Sequence, residues 1–234
     1  MSTLFLFFVA AVVMMLVAVI IRYLPHGYRT PSLVGLVAWI AYGGMLGYEG
    51  VIANTALLPP GLFYLLAPIM IFIMFITQSR VGQTVALSFP LWLMMGMESL
   101  RLVVEIFLHQ LWLDGQLPRV MTFHGANFDI LIGASAPIVA WLLASQKISN
   151  RMALAWNVIG IAMLANVAVS GVLTTPGPLH LIATEVPNAA IGTFPFTYIP
   201  GLIVPLALIL HVLSIRALWQ RISDSLPDLS SKAA

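Results

Sequence analysis

The sequence predicts an all-α protein, a polytopic membrane bundle of about seven transmembrane helices with its N-terminus outside and its C-terminus in the cytoplasm. Three observations predict it. Of 234 residues, 61% are hydrophobic and 8% charged, against about 45–50% and about 25% in soluble domains, so most helix surface must face lipid. Apolar runs of about 20 residues, the length that crosses a bilayer core, recur along the chain. Lys and Arg gather in alternate connections, as they do on the cytoplasmic side of a membrane.

The first run, 2–23, has no Lys or Arg before it and is followed by Arg22 and Arg29. It exceeds a signal-peptide core in length and reads as an N-out anchor. The remaining runs are 32–51, 61–78, 90–113, 129–146, 152–174 and 196–219. Pro31, Pro59, Pro60, Pro118 and Pro195 stand at or near helix starts, where a missing N–H costs little. Pro68, Pro137, Pro200 and Pro205 fall inside helices and predict kinks. Arg80 follows the third run, Lys147 and Arg151 the fifth, and Arg216, Arg221 and Lys232 end or follow the seventh. Arg119 is the one exception to the alternation. The Pro-rich but apolar stretch 175–195 is expected to lie on or dip into the outer face as a lid. Residues 1–221 then form a single transmembrane domain, and 222–234 a short cytoplasmic tail whose Ser, Asp, Pro and Lys content predicts disorder.

Composition also excludes. Without cysteine there is no disulfide, thiolate metal site, iron–sulfur cluster or cysteine nucleophile. The basic residues are scattered singly over short loops and form no nucleic-acid patch.

Within 90–113, Glu98, Arg101, Glu105 and His109 are spaced three, four and four apart, which places them on one helix face. Insertion scales put a charged side chain at mid-bilayer roughly 2.5–3.5 kcal/mol uphill, so this face must point into the bundle. Arg101 lies one turn from both carboxylates, as in an internally neutralised cluster. A proton or ion relay, the floor of a polar cavity and a purely structural ion pair are the competing roles. Before the fifth run, Asn127 or Asp129 is placed to cap the helix, and its N-terminal amides make an anion site.

Topology brings His109, His124 and His180 to the outer side, where Glu185 or another carboxylate could complete a metal or acid–base site. The spacing matches no compact ligand motif. His211 lies roughly 22 Å inward from the outer end of its helix and His109 only about 6 Å from the end of its own, which argues against a haem held between them. The last helix has no lysine for a retinal Schiff base, and Ser170 has no histidine at its level for a protease. Asn157 and Asn166 read as hydrogen-bonding glue between helices.

The stretches "ESLRLVVEIFLH", "MTFHGANFDILIGASAP" and "PNAAIGTFPFTYIPGLIVPLALILH" resemble a family of bacterial inner-membrane proteins of unknown function. The resemblance covers about the C-terminal two-thirds. It implies a bacterial inner-membrane location and one outward-facing polar site made by Arg101, Glu105, Gly125, Asn127 and Asp129. In that family an acidic residue often stands where this chain has His124.

Three functional expectations result. The first is a small-solute transporter or permease-like protein, with Glu98, Arg101 and Glu105 as the charged core, Glu105 or His109 as the proton-coupling group, and Asn127 and Asp129 beside them. The second is a membrane-embedded enzyme or redox protein with a metal or haem at His109, His124, Asp129, His180 and Glu185. The third is an accessory or assembly subunit in which the buried charges only fix packing. The expected partners are the lipid bilayer and a small solute, with no nucleic acid. No cofactor is required by the sequence.

Overall fold

The computed structural model describes residues 1–224, and the expected tail from 225 onward lies outside them. The regular structure of the described residues is all helical, with no strand. In chain order the helices are α1 (Ser2–Tyr23), α2 (His26–Tyr48), α3 (Phe63–Gln78), α4 (Arg80–Ser88), α5 (Leu91–Met97), α6 (Leu100–Leu113), α7 (Asp129–Ala144), α8 (Asn150–Leu173) and α9 (Val204–Asp224). A π-helical turn, Ile199–Ile203, leads into α9. Four helical stretches are long and apolar enough to cross a membrane: α1, α2, α8, and the π turn together with α9. The pair α3 and α4 passes the same test together but is bent by 80° at its junction.

Each expected run is occupied by helix, with four local differences. α2 starts at His26, so Pro31 lies inside it rather than at its start. The polar nine-residue α4 was not expected. The 90–113 run is interrupted at Glu98 and Ser99, where backbone bonds switch to the tighter i→i−3 pattern: Glu98 N to Met95 O at 3.2 Å and Arg101 N to Glu98 O at 3.1 Å. Both residues keep near-helical angles, so α5 and α6 continue one path. The last helix runs to Asp224, three residues past the expected domain limit.

α1 is apolar all round and buries only Phe5, Val9 and Val12, as expected of a helix whose outer faces meet an apolar solvent. Its buried stripe packs Phe5 against Phe107 and Phe196, both at 5.1 Å between ring centres. α2 approaches the chain ahead of α9 through Gly44 and Gly47: side chains there would collide with the Tyr198 hydroxyl and with Thr197. Small residues allow this close contact.

α2 also repairs two prolines. Proline has no N–H to give the carbonyl four residues back. For Pro205 that carbonyl is Gly201 O, which accepts a hydrogen bond from Trp39 Nε1 at 2.6 Å. For Pro68 it is Tyr64 O, which accepts one from the Tyr42 hydroxyl at 2.9 Å. Two aromatic residues of one helix thereby satisfy backbone groups freed in two others.

The connections gather at two ends. At one end, Gly192 lies against Ala53 and Gly177 against Thr55, Ala190 N donates to Gln116 O, and Asn166 Nδ2 donates to Ala126 O. The connections 49–62, 114–128 and 174–198 therefore meet. At the other end, Tyr23 contacts Phe89, Gln83 bonds Gln220, and Arg216 donates to Ile76 O, to Ser79 O and to Gln83 Oε1. Between the ends runs a core that includes Leu108, Leu111, Met121, Leu164, Ile199 and Ile203.

Candidate functional site

The site forms where α6, α7, α8 and α9 meet. Arg101 projects from the first turn of α6 and is engaged at all three guanidinium nitrogens. Nε donates to Asp129 Oδ2 at 3.1 Å, Nη2 donates to Asp129 Oδ1, and Nη1 faces His211 Nε2 at 3.0 Å and Glu98 Oε2 at 3.5 Å. The forked pairing with Asp129 is the geometry for which guanidinium is suited. It is possible because α7 crosses α6 backbone to backbone at Gly133, where a side chain would strike the Arg101–Leu102 peptide.

Asp129 opens α7, yet its carboxylate is committed to Arg101. The capping role falls to Asn127, whose Oδ1 accepts a hydrogen bond from Asp129 N at 3.0 Å. The Asn127 amide donates to Glu105 Oε1 at 2.5 Å and to Met121 O at 3.0 Å, so both of its N–H groups are used. It ties the 114–128 connection to α6.

His211 enters from α9. Its Nδ1 pairs with Asn157 Oδ1 at 2.9 Å, and because Asn157 Nδ2 donates to Ala153 O, Oδ1 is the acceptor. The network therefore assigns the proton to Nδ1 and leaves Nε2 to accept from Arg101. The imidazole fills the space that a side chain on Gly160 of α8 would need.

Burial is nearly complete: Glu98 and Glu105 are each 2% exposed, Arg101 4%, Asp129 6% and His211 0%. Neither oxygen of Glu98 has a hydrogen-bond partner, and neither does Glu105 Oε2. Glu98 has only the longer approaches to Arg101 and to His211 Nε2, the latter at 3.6 Å. Arg101, Glu105 and Asp129 line one side of a cavity of about 90 Å³. Its other walls are apolar and come from α3, α6, α8, α9, the π turn, and Leu62, Met121 and Ile191 of the connections. Of the stretch 175–195, Ile191 thus reaches the cavity wall.

The structure brings together five of the six expected relay or binding residues: Glu98, Arg101, Glu105, Asn127 and Asp129. His109 departs from them. It lies on the same face of α6 but beyond the cluster, in an aromatic group with Trp112, Phe123 and His124; its ring centre is 4.9 Å from those of both Phe123 and His124. Arg101 also departs from the expected pairing, since its close partner is Asp129 rather than Glu105. His211 and Asn157 join the cluster without having been expected there. The signal was in the sequence: Gly160 follows Asn157 by one turn on an apolar helix, a gap beside an amide.

The outer metal candidates do not assemble. His109 and His124 are neighbours, but His180 pairs through Nδ1 with Thr174 O at 3.2 Å and Glu185 accepts from Arg119 N at 2.5 Å. Among the described residues no three His, Asp or Glu side chains form a group that could hold a metal ion.

Comparison with the curated proteins finds no match, and comparison with the solved structures finds none either. A family model described as a domain of unknown function, DUF8737, matches residues 59–219. That stretch holds every residue of the cluster and every wall of the cavity, and the chain belongs to the DUF8737 family.

Proposed function

We propose that this protein is a multi-pass carrier of the bacterial inner membrane that moves a small solute together with a proton, its partners being the lipid bilayer and that solute. The observation that carries the reading is the charge balance of the buried cluster. Glu98, Glu105 and Asp129 face one guanidinium, Arg101, and a histidine that the network holds neutral. Arg101 balances Asp129. Two further buried carboxylates, short of hydrogen bonds, cannot both stay ionised and unpaired in a medium of low dielectric. Protons or a bound cation complete the balance, and the cavity beside the cluster gives them a place.

His211 supplies the coupling element. While neutral it accepts from Arg101 Nη1. A proton arriving at Nε2 turns that atom into a donor, its nearest carboxylate oxygen is Glu98 Oε1 at 3.6 Å, and the guanidinium loses an acceptor. One proton thus exchanges the partners of Arg101, whose other contacts border the cavity. Two alternative pairings of one network are the kind of bistable element a ligand can bias.

The membrane arrangement belongs to the same reading. Seven traverses result if α3 crosses and α4 lies at the surface, and if α5 and α6 cross as one. The meeting of connections 49–62, 114–128 and 174–198 at one end supports this. So does the clustering of Arg216, Gln83 and Gln220 at the other, beside Arg80 and Arg221. With the basic end inside, the N-terminus is outside and the C-terminus in the cytoplasm.

The test uses purified protein in proteoliposomes loaded with a pH-sensitive dye. Added small solutes, supplied singly, should include at least one class that drives proton movement in wild type and none that does so in Glu98→Gln. If no solute moves protons, or if Glu98→Gln behaves as wild type, the carrier reading fails. A cluster that serves packing alone predicts that second result.

A further inference from the structure

The cavity beside the cluster has a chemical preference that follows from which of its charged groups are already paired. Arg101 has all three guanidinium nitrogens engaged with Asp129, His211 and Glu98. Asp129 spends both oxygens on Arg101, and Asn127 uses its oxygen and its amide nitrogen on Asp129, Glu105 and Met121. One polar atom remains uncommitted on a side chain that lines the cavity: Glu105 Oε2, buried and without a hydrogen-bond partner. Each Arg101 nitrogen is thus already directed at Asp129, His211 or Glu98, and the acceptor left over at the cavity wall is Glu105 Oε2.

An anion meets the carboxylates of Glu105 and Asp129 there, and the one guanidinium in the wall is already paired with Asp129. A polyhydroxylated solute finds one partner for its many hydroxyls, and unpaired polar groups in such a place cost about 1–3 kcal/mol each. A bare metal cation needs about six or more oxygen ligands, whereas Leu108, Met121, Leu164, Val167 and Ile203 offer none from their side chains. A cation with an apolar body satisfies both parts of the wall. The volume, about 90 Å³, is about three times the share of one water in the liquid, which suits a molecule of only a few non-hydrogen atoms.

We infer that this cavity is a binding site for a small organic monocation, an ammonium head on a short alkyl body, with the Glu105 carboxylate as its counter-ion and the α8 and α9 side chains around its apolar part. This names the solute class of the carrier proposed above and rests on that reading for its transport role. The binding itself rests on the cavity.

The test is calorimetric titration of the detergent-purified full chain with propylammonium, and with propanol and propionate as its neutral and anionic counterparts. Two variants accompany it: Glu105→Gln removes the counter-ion, and Ala207→Leu fills the cavity from α9 while leaving every charge in place. Propylammonium should bind wild type saturably and both variants at least tenfold more weakly, and the counterparts should not bind. Equal binding of propanol or propionate overturns the inference, as does propylammonium binding unchanged in both variants. If Glu105→Gln does not fold, Ala207→Leu and the three-ligand comparison on wild type decide alone. Ammonium binding without solute-linked proton movement in vesicles overturns the carrier reading and leaves the site standing. Proton movement driven by another solute class, with no ammonium binding, overturns the site and leaves the carrier.

Discussion

The imidazole of His211 on α9 occupies the place where Gly160 on α8 lacks a side chain. That substitution of one residue's ring for another's Cβ fixes the depth of the histidine, and with it the reach of Nε2 to both Arg101 and Glu98. A methyl group added at Gly160 must displace the ring, and overpacking of this kind costs about 1–3 kcal/mol. Gly160→Ala is expected to lower the melting temperature by several degrees, at about 2–4 °C per kcal/mol for a chain of this size, and to abolish solute-linked proton movement. Gly27→Ala, where a side chain meets open space, is the control and should change neither. A Gly160→Ala protein that melts and works as wild type would show that His211 is held some other way.

The forked pair of Arg101 and Asp129 predicts a non-additive pair of substitutions. Removing the guanidinium alone, as in Arg101→Met, leaves three carboxylates buried with no cation, and breaking a buried pair costs about 3–5 kcal/mol. Combining it with Asp129→Asn removes the charge that Arg101 balanced. The double variant should therefore be more stable than Arg101→Met in thermal melts, by a margin well beyond additivity. Equal melting of the single and double variants would mean that the pair contributes nothing to the fold.

How much of this was legible depended on whether one segment or two decided it. The apolar runs mark their own helices, because a bilayer-length stretch of apolar residues has few other uses. The face shared by Glu98, Arg101 and Glu105 is likewise a property of one helix. Which helix meets that face is not, so Asp129 could be placed as a cap but not as the partner of Arg101. His211 could be placed at the right depth, far from His109, but not beside Glu98. His109 satisfied the periodicity and still belongs elsewhere, since one more turn of α6 carries it out of the polar cluster and among Trp112, Phe123 and His124. The bend after Gln78 was hidden because α4 is short and polar and fell between two apolar runs.

The proline repairs by α2 give a reciprocal test. Trp39→Phe keeps the aromatic packing and removes the donor to Gly201 O, leaving a buried carbonyl unpaired at a cost of about 1–3 kcal/mol. Pro205→Ala supplies the N–H that proline lacks at the position four residues on. With Ala at 205 the loss of the indole should matter much less, so the cost of Trp39→Phe in melting experiments should shrink by more than half in the Pro205→Ala background. An undiminished cost would mean that Trp39 acts through packing and not through its N–H.

Arg216 holds the corner between α3 and α4. The α3 carbonyls near its end have no intrahelical partner, and the 80° bend turns the following backbone away from them. The guanidinium donates to Ile76 O, to Ser79 O at 3.1 Å and to Gln83 Oε1 at 3.0 Å, while Ser79 caps α4 through Gly82 N at 3.0 Å. One planar fork thus serves the end of one helix and the side of the next, and Gly82 leaves it room, since a side chain there would meet both Ile76 O and Arg216 Nη1. Lysine carries the same charge but no fork. Arg216→Lys and Arg216→Met are therefore both expected to speed amide hydrogen exchange across 79–88, by roughly tenfold or more if one charge-assisted bond of about 1.5–3 kcal/mol is lost locally. Exchange around the Arg101 cluster should stay as in wild type. Full protection of 79–88 in Arg216→Lys would show that charge alone, without the fork, is enough to hold the corner.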